Sequence, residues 1–159
     1  MSSLKIDIIA VGKLKEPFWV AACAEYLKRM SSYANVQVKE VDDVSLQRAS
    51  SPERVCELEA ASICKLLASS TRLVVLDREG KTFSSEDIAA LLENQLDGSE
   101  HHLSFVIGGS HGLAPELLKQ AKLRLSLGAI TLPHNLARVV LLEQLYRGFK
   151  IIRNEPYHK

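Results

Sequence analysis

Three glycines stand together in FVIGGSHGL, at Gly108, Gly109 and Gly112, directly after strand-forming residues and directly before Pro115. Glycine reaches positive φ at no steric cost and lets a ligand approach the main chain, so this spacing offers a cradle of backbone amides ahead of a helix N-terminus. A tight strand-to-helix turn would use the same residues, and spacing alone leaves both readings open. A second chemically capable group lies near the C-terminus. Glu143, Arg147, Lys150 and Asn154 follow one another at steps of four, three and four, which puts them on one stripe of a helix. Glu143 and Arg147 also make an ordinary i,i+4 ion pair, worth roughly 0.2–0.5 kcal/mol. The chain then ends in NEPYHK, an aromatic, an imidazole and an ammonium in succession. Chain ends usually fray, so a working tail needs a physical reason of its own. His101, His102 and His111 have no further ligands at metal-site spacing and read as loop histidines; no metal is assigned.

These residues need elements to hold them, and the periodicity alternates between short β-rich runs and helical stretches. Lys5 to Val11 reads as a strand, followed by a helix that begins at Pro17 and carries Phe18, Ala21, Ala22, Tyr26 and Met30 at helical spacing. Asn35 to Val41 alternates at period two, and a polar connection runs from Asp42 to Ser51. Ser51 is placed to cap a helix with Pro52 at its first position. Arg72 to Asp77 is a third strand, followed by a turn around Gly80. Ser84 and Asp87 have capping-box spacing ahead of another helix that closes near Gly98. LSFVIGG is strand-like, and RLSLGAITLPH is a short apolar stretch broken at Gly128. The final helix runs from His134 to about Arg153. Strands interleaved with helices require crossover connections, so the expected class is α/β: one domain over residues 1–159, with a mostly parallel sheet flanked by helices. Ligands of such sheets sit outside the carboxyl ends of the strands. That rule selects Leu76, Asp77 and Arg78 after the third strand and Ile107, Gly108 and Gly109 after the fourth.

Composition narrows the function further. Twenty Lys and Arg nearly balance nineteen Asp and Glu in 159 residues, so no global field advertises a polyanionic partner and any nucleic-acid surface must be local. Lys13, Lys15, Lys28 and Arg29 are candidates for such a patch, beside their default role as solvated charges. Cys23, Cys56 and Cys64 lack CxxC spacing, which argues against a disulfide framework or a thiolate zinc site. Lys5 and Asp7 interrupt any signal-like apolar core, and no apolar run approaches the roughly 20 residues that span a bilayer. A cytoplasmic protein without a membrane segment is expected. The first strand ends in AVGKLKEP, without GxGxxG, and GxxxxGK[ST] is absent, which excludes the common dinucleotide and P-loop folds. Apolar residues cover more than half of the final helix, a wider stripe than one sheet can bury. This points to a homodimer; a helix central to a monomer core is the competing explanation.

FVIGGSHGL, SLGAITLPH, ARVVLLEQLYRGFKI and the terminal PYHK, in this order and at these separations, closely resemble the ribosomal large-subunit RNA methyltransferase H family, a small branch of the SPOUT or α/β-knot methyltransferases. The likeness includes IIAVGKLKEPFW and AEYLKR and so runs along essentially the whole chain. It implies a C-terminal trefoil knot, a homodimer, and S-adenosylmethionine held in the knotted loops. It also implies methyl transfer to N3 of a pseudouridine in a 23S rRNA stem-loop of the assembled ribosome. Carried onto this sequence, the cofactor positions are Leu76, Gly108, Leu127, Gly128, Ala129, Ile130, Thr131 and Leu132, with Leu76, Ile130 and Leu132 around the adenine. The catalytic expectations are Tyr157 and His158 on the target base, with His158 as proton acceptor. Arg147, Lys159 and Arg138 would hold phosphate or the anionic base, and Glu143 would orient Arg147 or the cofactor ammonium. The tail of one subunit would lie near the cofactor of the other. A SPOUT enzyme acting on tRNA or another rRNA site, and a ribosome-associated binding module without catalysis, are the competing functions.

Overall fold

A computed structural model describes residues 3–157. The chain order is β1 (Lys5–Val11), α1 (Pro17–Met30), β2 (Asn35–Val41), α2 (Leu46–Ala49), α3 (Pro52–Leu66), β3 (Arg72–Thr82), α4 (Ser85–Asp97), β4 (His102–Ile107), α5 (Pro115–Gln120), β5 (Leu123–Ser126) and α6 (His134–Ile152). Five strands form one sheet in the order β2-β1-β4-β3-β5, and every pairing is parallel. Side chains alternate across it. Ile6, Ile8 and Ala10 of β1 pack with Ile88 and Leu92 of α4 and with Leu141, Leu142 and Leu145 of α6. Ile9 and Val11 point the other way, to Ile63 of α3 and Leu117 of α5. The helices therefore cover both faces, which is why central strands are buried almost end to end.

Local chemistry starts the helices where the sequence places them. Ser51 accepts from Arg54 N at 3.2 Å with Pro52 behind it, and Ser84 and Asp87 form the reciprocal capping box. Two expectations are corrected. The polar connection contains a single helical turn, α2, capped by Ser45. The stretch around Gly80 is not a turn: β3 continues to Thr82, with a break in register between Leu76 and Lys81 that lets Lys81 and Thr82 pair with Leu125 and Ser126. A bulge of this kind bends a strand and re-aims the side chains within it, here Asp77 and Arg78.

From β5 at the outer edge the chain returns to α6, which packs on α1 and α4. Crossing back this way brings the Leu127–Pro133 segment over the ends of β3 and β4. No residue of α6 is fully exposed in the single chain, so the wide apolar stripe is already partly satisfied by α1, α4 and the sheet.

Candidate active site

The bulge in β3 and the loops following β4 and β5 meet around one cavity of about 510 Å³, lined by Leu76, Asp77 and Arg78, by Ile107 to Gly109, and by Leu127, Gly128 and Ile130 to Leu132. His134 and Ala137 at the start of α6 close one side. Of the eight carried-over cofactor positions, seven line this space; Ala129 belongs to the same loop without lining the cavity. A volume in the usual range for a small-molecule site, mostly apolar walls and a few polar groups on bent backbone suit a ligand with a flat heterocycle and a charged arm.

The loop geometry separates two uses of glycine. Gly112 and Gly128 have φ of +82° and +117°, conformations that L side chains rarely adopt. Gly108 and Gly109 do not need positive φ, contrary to the sequence expectation; they are small because their surroundings leave no room. A Cβ on Gly108 would stand 2.9 Å from Leu113 Cδ2 and 3.0 Å from the Gly112 carbonyl. The loop is therefore both a turn, closed by the Gly112 N–H to the Gly109 carbonyl at 3.1 Å, and a cavity wall. Gly108→Val would push the loop into the cavity, and the expected result is at least a tenfold loss of methyl-donor affinity by calorimetry; unchanged affinity would remove Gly108 from the binding wall.

Polar contacts hold the three loops together. Arg78 Nη1 donates to Thr131 Oγ1 at 3.0 Å, and the Ser126 hydroxyl takes the Gly128 N–H at 3.1 Å while donating to the Arg78 carbonyl at 3.1 Å. Asp77 accepts from Arg124 Nε at 2.7 Å. Ile130, 73% exposed, projects from this loop beside the cavity mouth. Sequence reasoning named most of these positions individually, but not the bonds linking β3 to the β5 loop, because they depend on the bulge.

The catalytic candidates assemble elsewhere. Glu143 Oε1 accepts from Arg147 Nε at 2.9 Å and from the Tyr157 hydroxyl at 3.2 Å, and the Arg147 guanidinium lies 4.7 Å from the Tyr157 ring centroid. Tyr146 meets Tyr157 edge-on. The Glu143 hydrogen bond holds Arg147 above the usual guanidinium range. Burial and then the Glu143 charge push the Tyr157 phenol up, so it stays protonated at neutral pH. His158 and Lys159 lie outside the described residues. Ala137 lines the cavity and Arg147 is ten residues further along α6, a separation of about 15 Å at 1.5 Å per residue. Within one chain the two groups do not meet.

Two expectations about basic residues are corrected. Arg138 cannot hold substrate: it is 2% exposed, and it donates from Nη1 to Glu40 Oε2 at 2.7 Å and from Nη2 to the Gly12 carbonyl at 3.1 Å. A charged group on the sheet-facing side of a helix reads as polar in sequence but is consumed by a buried partner. Lys13 and Lys15 line a smaller cavity that shares Gly109, Ser110 and His134 with the larger one. Lys28 and Arg29 sit at the far end of α1, about 20 Å away along the axis. The four do not form one patch. Among the described residues no group of three His, Cys, Asp or Glu could hold a metal, and no helix is long and apolar enough to cross a membrane. The three cysteines are free.

Strand-end loops gathered over the carboxyl edge of a parallel sheet, with a cavity walled by glycine backbone and leucine side chains, define an α/β protein that binds a small organic ligand at that edge. The family described as "Predicted SPOUT methyltransferase" matches residues 4–158, and the chain belongs to it. It is a methyltransferase whose family implies the knotted C-terminal segment. The ribosomal RNA large subunit methyltransferase H of Desulforamulus reducens is 46% identical over 159 residues, covering 98% of this chain and 99% of that protein. The proteins of the same name from Carboxydothermus hydrogenoformans and Acetivibrio thermocellus are 45% and 46% identical, each over 98% of this chain and 100% of their own length.

Proposed function

We propose that this chain transfers a methyl group from S-adenosylmethionine to N3 of a pseudouridine in 23S rRNA of the assembled ribosome, and that it works as a cytoplasmic homodimer. The convergence of three strand-end loops on one cavity carries this reading. The full-length likeness to proteins named for ribosomal RNA methylation supports the substrate. A near-balanced charge fits recognition of an assembled particle better than capture of free RNA, which rests on a stronger basic bias.

S-adenosylmethionine supplies an electrophilic methyl group. Leu76, Ile130 and Leu132, which line the cavity, would hold its adenine, and the backbone at Gly108 and Gly128 would serve its polar groups. The imide N3 of the target becomes a nucleophile when its proton leaves, so the protein's work is to orient the base and stabilise the developing anion. Arg147, kept charged and fixed in direction by Glu143, offers that stabilisation. Tyr157, held by its hydrogen bond to Glu143, is placed to contact the base with its ring, and His158 is the proton acceptor in this reading. The separation of about 15 Å between Ala137 and Arg147 along α6 supports the reading that these groups serve the cavity of a second copy. Phe18 and Val20 on α1 and Ile130 at the cavity are apolar side chains left exposed in the single chain.

Ribosomes lacking the modification, incubated with tritium-labelled S-adenosylmethionine, are expected to take up label at N3 of one pseudouridine of 23S rRNA. Label in tRNA or at another rRNA position would redirect the substrate, and binding without transfer would make the chain a ribosome-associated binder.

A further inference from the structure

Glu59 stands out among the buried side chains that the proposed reaction does not use. It sits on the inner face of α3, in the company of Val55, Cys56 and Ile63, and is 3% exposed. One carboxyl oxygen, Oε2, accepts from Val44 N at 2.9 Å. The other, Oε1, is buried without a hydrogen-bond partner. Both face the glycine loop: a Cβ built on Gly109 would stand 3.3 Å from Oε1 and 3.5 Å from Oε2. Three positions earlier, and so on the same face of α3, Cys56 Sγ lies 3.3 Å from the His111 carbonyl and 3.6 Å from that of Gly112, donating into the same loop.

We infer that Glu59 is a positioning residue for methyl-donor binding: with Cys56 it forms a polar pedestal beneath residues 109–112, fixing the glycine loop against the β2–α2 connection. A helical residue at this depth is normally apolar, and an unpaired buried carboxyl oxygen costs roughly 1–3 kcal/mol. The arrangement costs less when the group is a neutral acid, with Oε2 accepting from Val44 N and Oε1 lying against Gly109, where a side chain would not fit. Burial pushes this carboxyl up, reinforced by Asp43, while the Val44 N–H and His111 act in the opposite sense. Gly109 lines both cavities, so a shift of the loop would be felt at the donor and at the neighbouring space together.

This inference rests on the reading of the larger cavity as the S-adenosylmethionine site, and the experiment separates the two. Calorimetry with S-adenosylmethionine is run on the wild type, Glu59→Gln and Glu59→Ala, with turnover on unmodified ribosomes and thermal melting of each. Gln keeps one acceptor and one donor, and should leave donor affinity within about twofold. Ala removes both, and the expected loss is about tenfold in affinity, with kcat at saturating donor lowered less than threefold. Should Ala melt too early to assay, the Gln variant decides alone, because a carboxylate acting as a charge would make Gln lose about tenfold. Wild type that binds with Ala binding equally well overturns the pedestal; so does a loss in kcat without a loss in affinity. Wild type that fails to bind overturns the reading of the cavity, and the inference with it.

Discussion

Two inactive variants are expected to regain methyl transfer when mixed. A chain lacking Tyr157 to Lys159 keeps its cavity but has no tail, and a Gly108→Val chain keeps its tail but has an obstructed cavity. If Glu143, Arg147 and Tyr157 act on the partner's cavity, random exchange puts half the chains' dimers in the mixed state, each with one intact site of two, for about a quarter of wild-type activity. The physical basis is the distance along α6: Glu143 and Arg147 lie about 9 and 15 Å beyond Ala137 on the helix axis, and neither lines the cavity of its own chain. The tail deletion alone should fall at least a hundredfold, the usual scale for removing a group that acts in the transition state, and Gly108→Val alone at least tenfold at a donor concentration below saturation. The tail deletion should leave donor affinity nearly unchanged. Full activity of the tail-deleted chain would remove the tail from the mechanism, and failure of the mixture to recover would place both groups on one chain. Light scattering supplies the control, since a monomeric mass at micromolar concentration excludes any shared site.

The largest effect on stability is expected at Arg138. Its guanidinium joins α6 to the ends of β1 and β2 through the Gly12 carbonyl and Glu40, which also accepts from Leu14 N at 3.0 Å. Removing one partner of a buried pair leaves the other charge without compensation, and Arg138→Ala should cost about 3–5 kcal/mol. For a chain of this length that corresponds to a fall in Tm of roughly 10 °C or more. The double variant Arg138→Leu with Glu40→Leu should recover much of the loss, because a shape-filling apolar pair removes the desolvation problem from both sides. The same contact predicts a pH dependence. Burial disfavours the Glu40 charge, but Arg138, the Leu14 N–H and Lys13 together outweigh it and hold the carboxyl below its ordinary value of 4.5. A carboxylate with a lowered folded pKa stabilises fully above its unfolded value and loses that contribution as pH falls through the folded one. The wild type should therefore lose stability below about pH 4.5 more steeply than the double Leu variant, measured as Tm against pH. Equal profiles would show that the pair contributes nothing net. Because α6 begins at His134, immediately after the Leu127–Pro133 loop, a partly destabilised Arg138 variant should also bind the methyl donor more weakly.

How legible all this was depended on the range of the interaction. β1, β2 and α1 begin and end in the structure at the residues where alternation, Pro17 and the apolar spacing place them, because each depends on neighbours a few positions away. Ser51 and Ser84 cap as expected for the same reason. The site loops were also legible, since the carboxyl-end rule and the family likeness independently select the ends of β3 and β4. The continuation of β3 past Gly80 was not, because it exists through pairing with Leu125 and Ser126, more than forty residues away. Glu59 left a faint trace: an acid in the apolar stripe of α3, which a reading of helix faces could have flagged but which only the glycine loop above it explains.

By itself the sequence determined the alternating elements, the parallel α/β class and, through its motifs, the methyltransferase family, for these follow from local periodicity and residue identity. Tertiary structure decided where each polar residue spends its hydrogen bonds. Arg138 and Arg147 are both arginines on one helix, nine positions apart. The first is turned into the sheet and bonded to Glu40 and the Gly12 carbonyl, while the second stands beside Glu143 and Tyr157 toward the helix's far end, because the facing surfaces of β1 and β2 reach one and not the other. The same geometry places the cavity near the start of α6 and the Arg147–Tyr157 pair toward its far end, because a helix rises about 1.5 Å per residue.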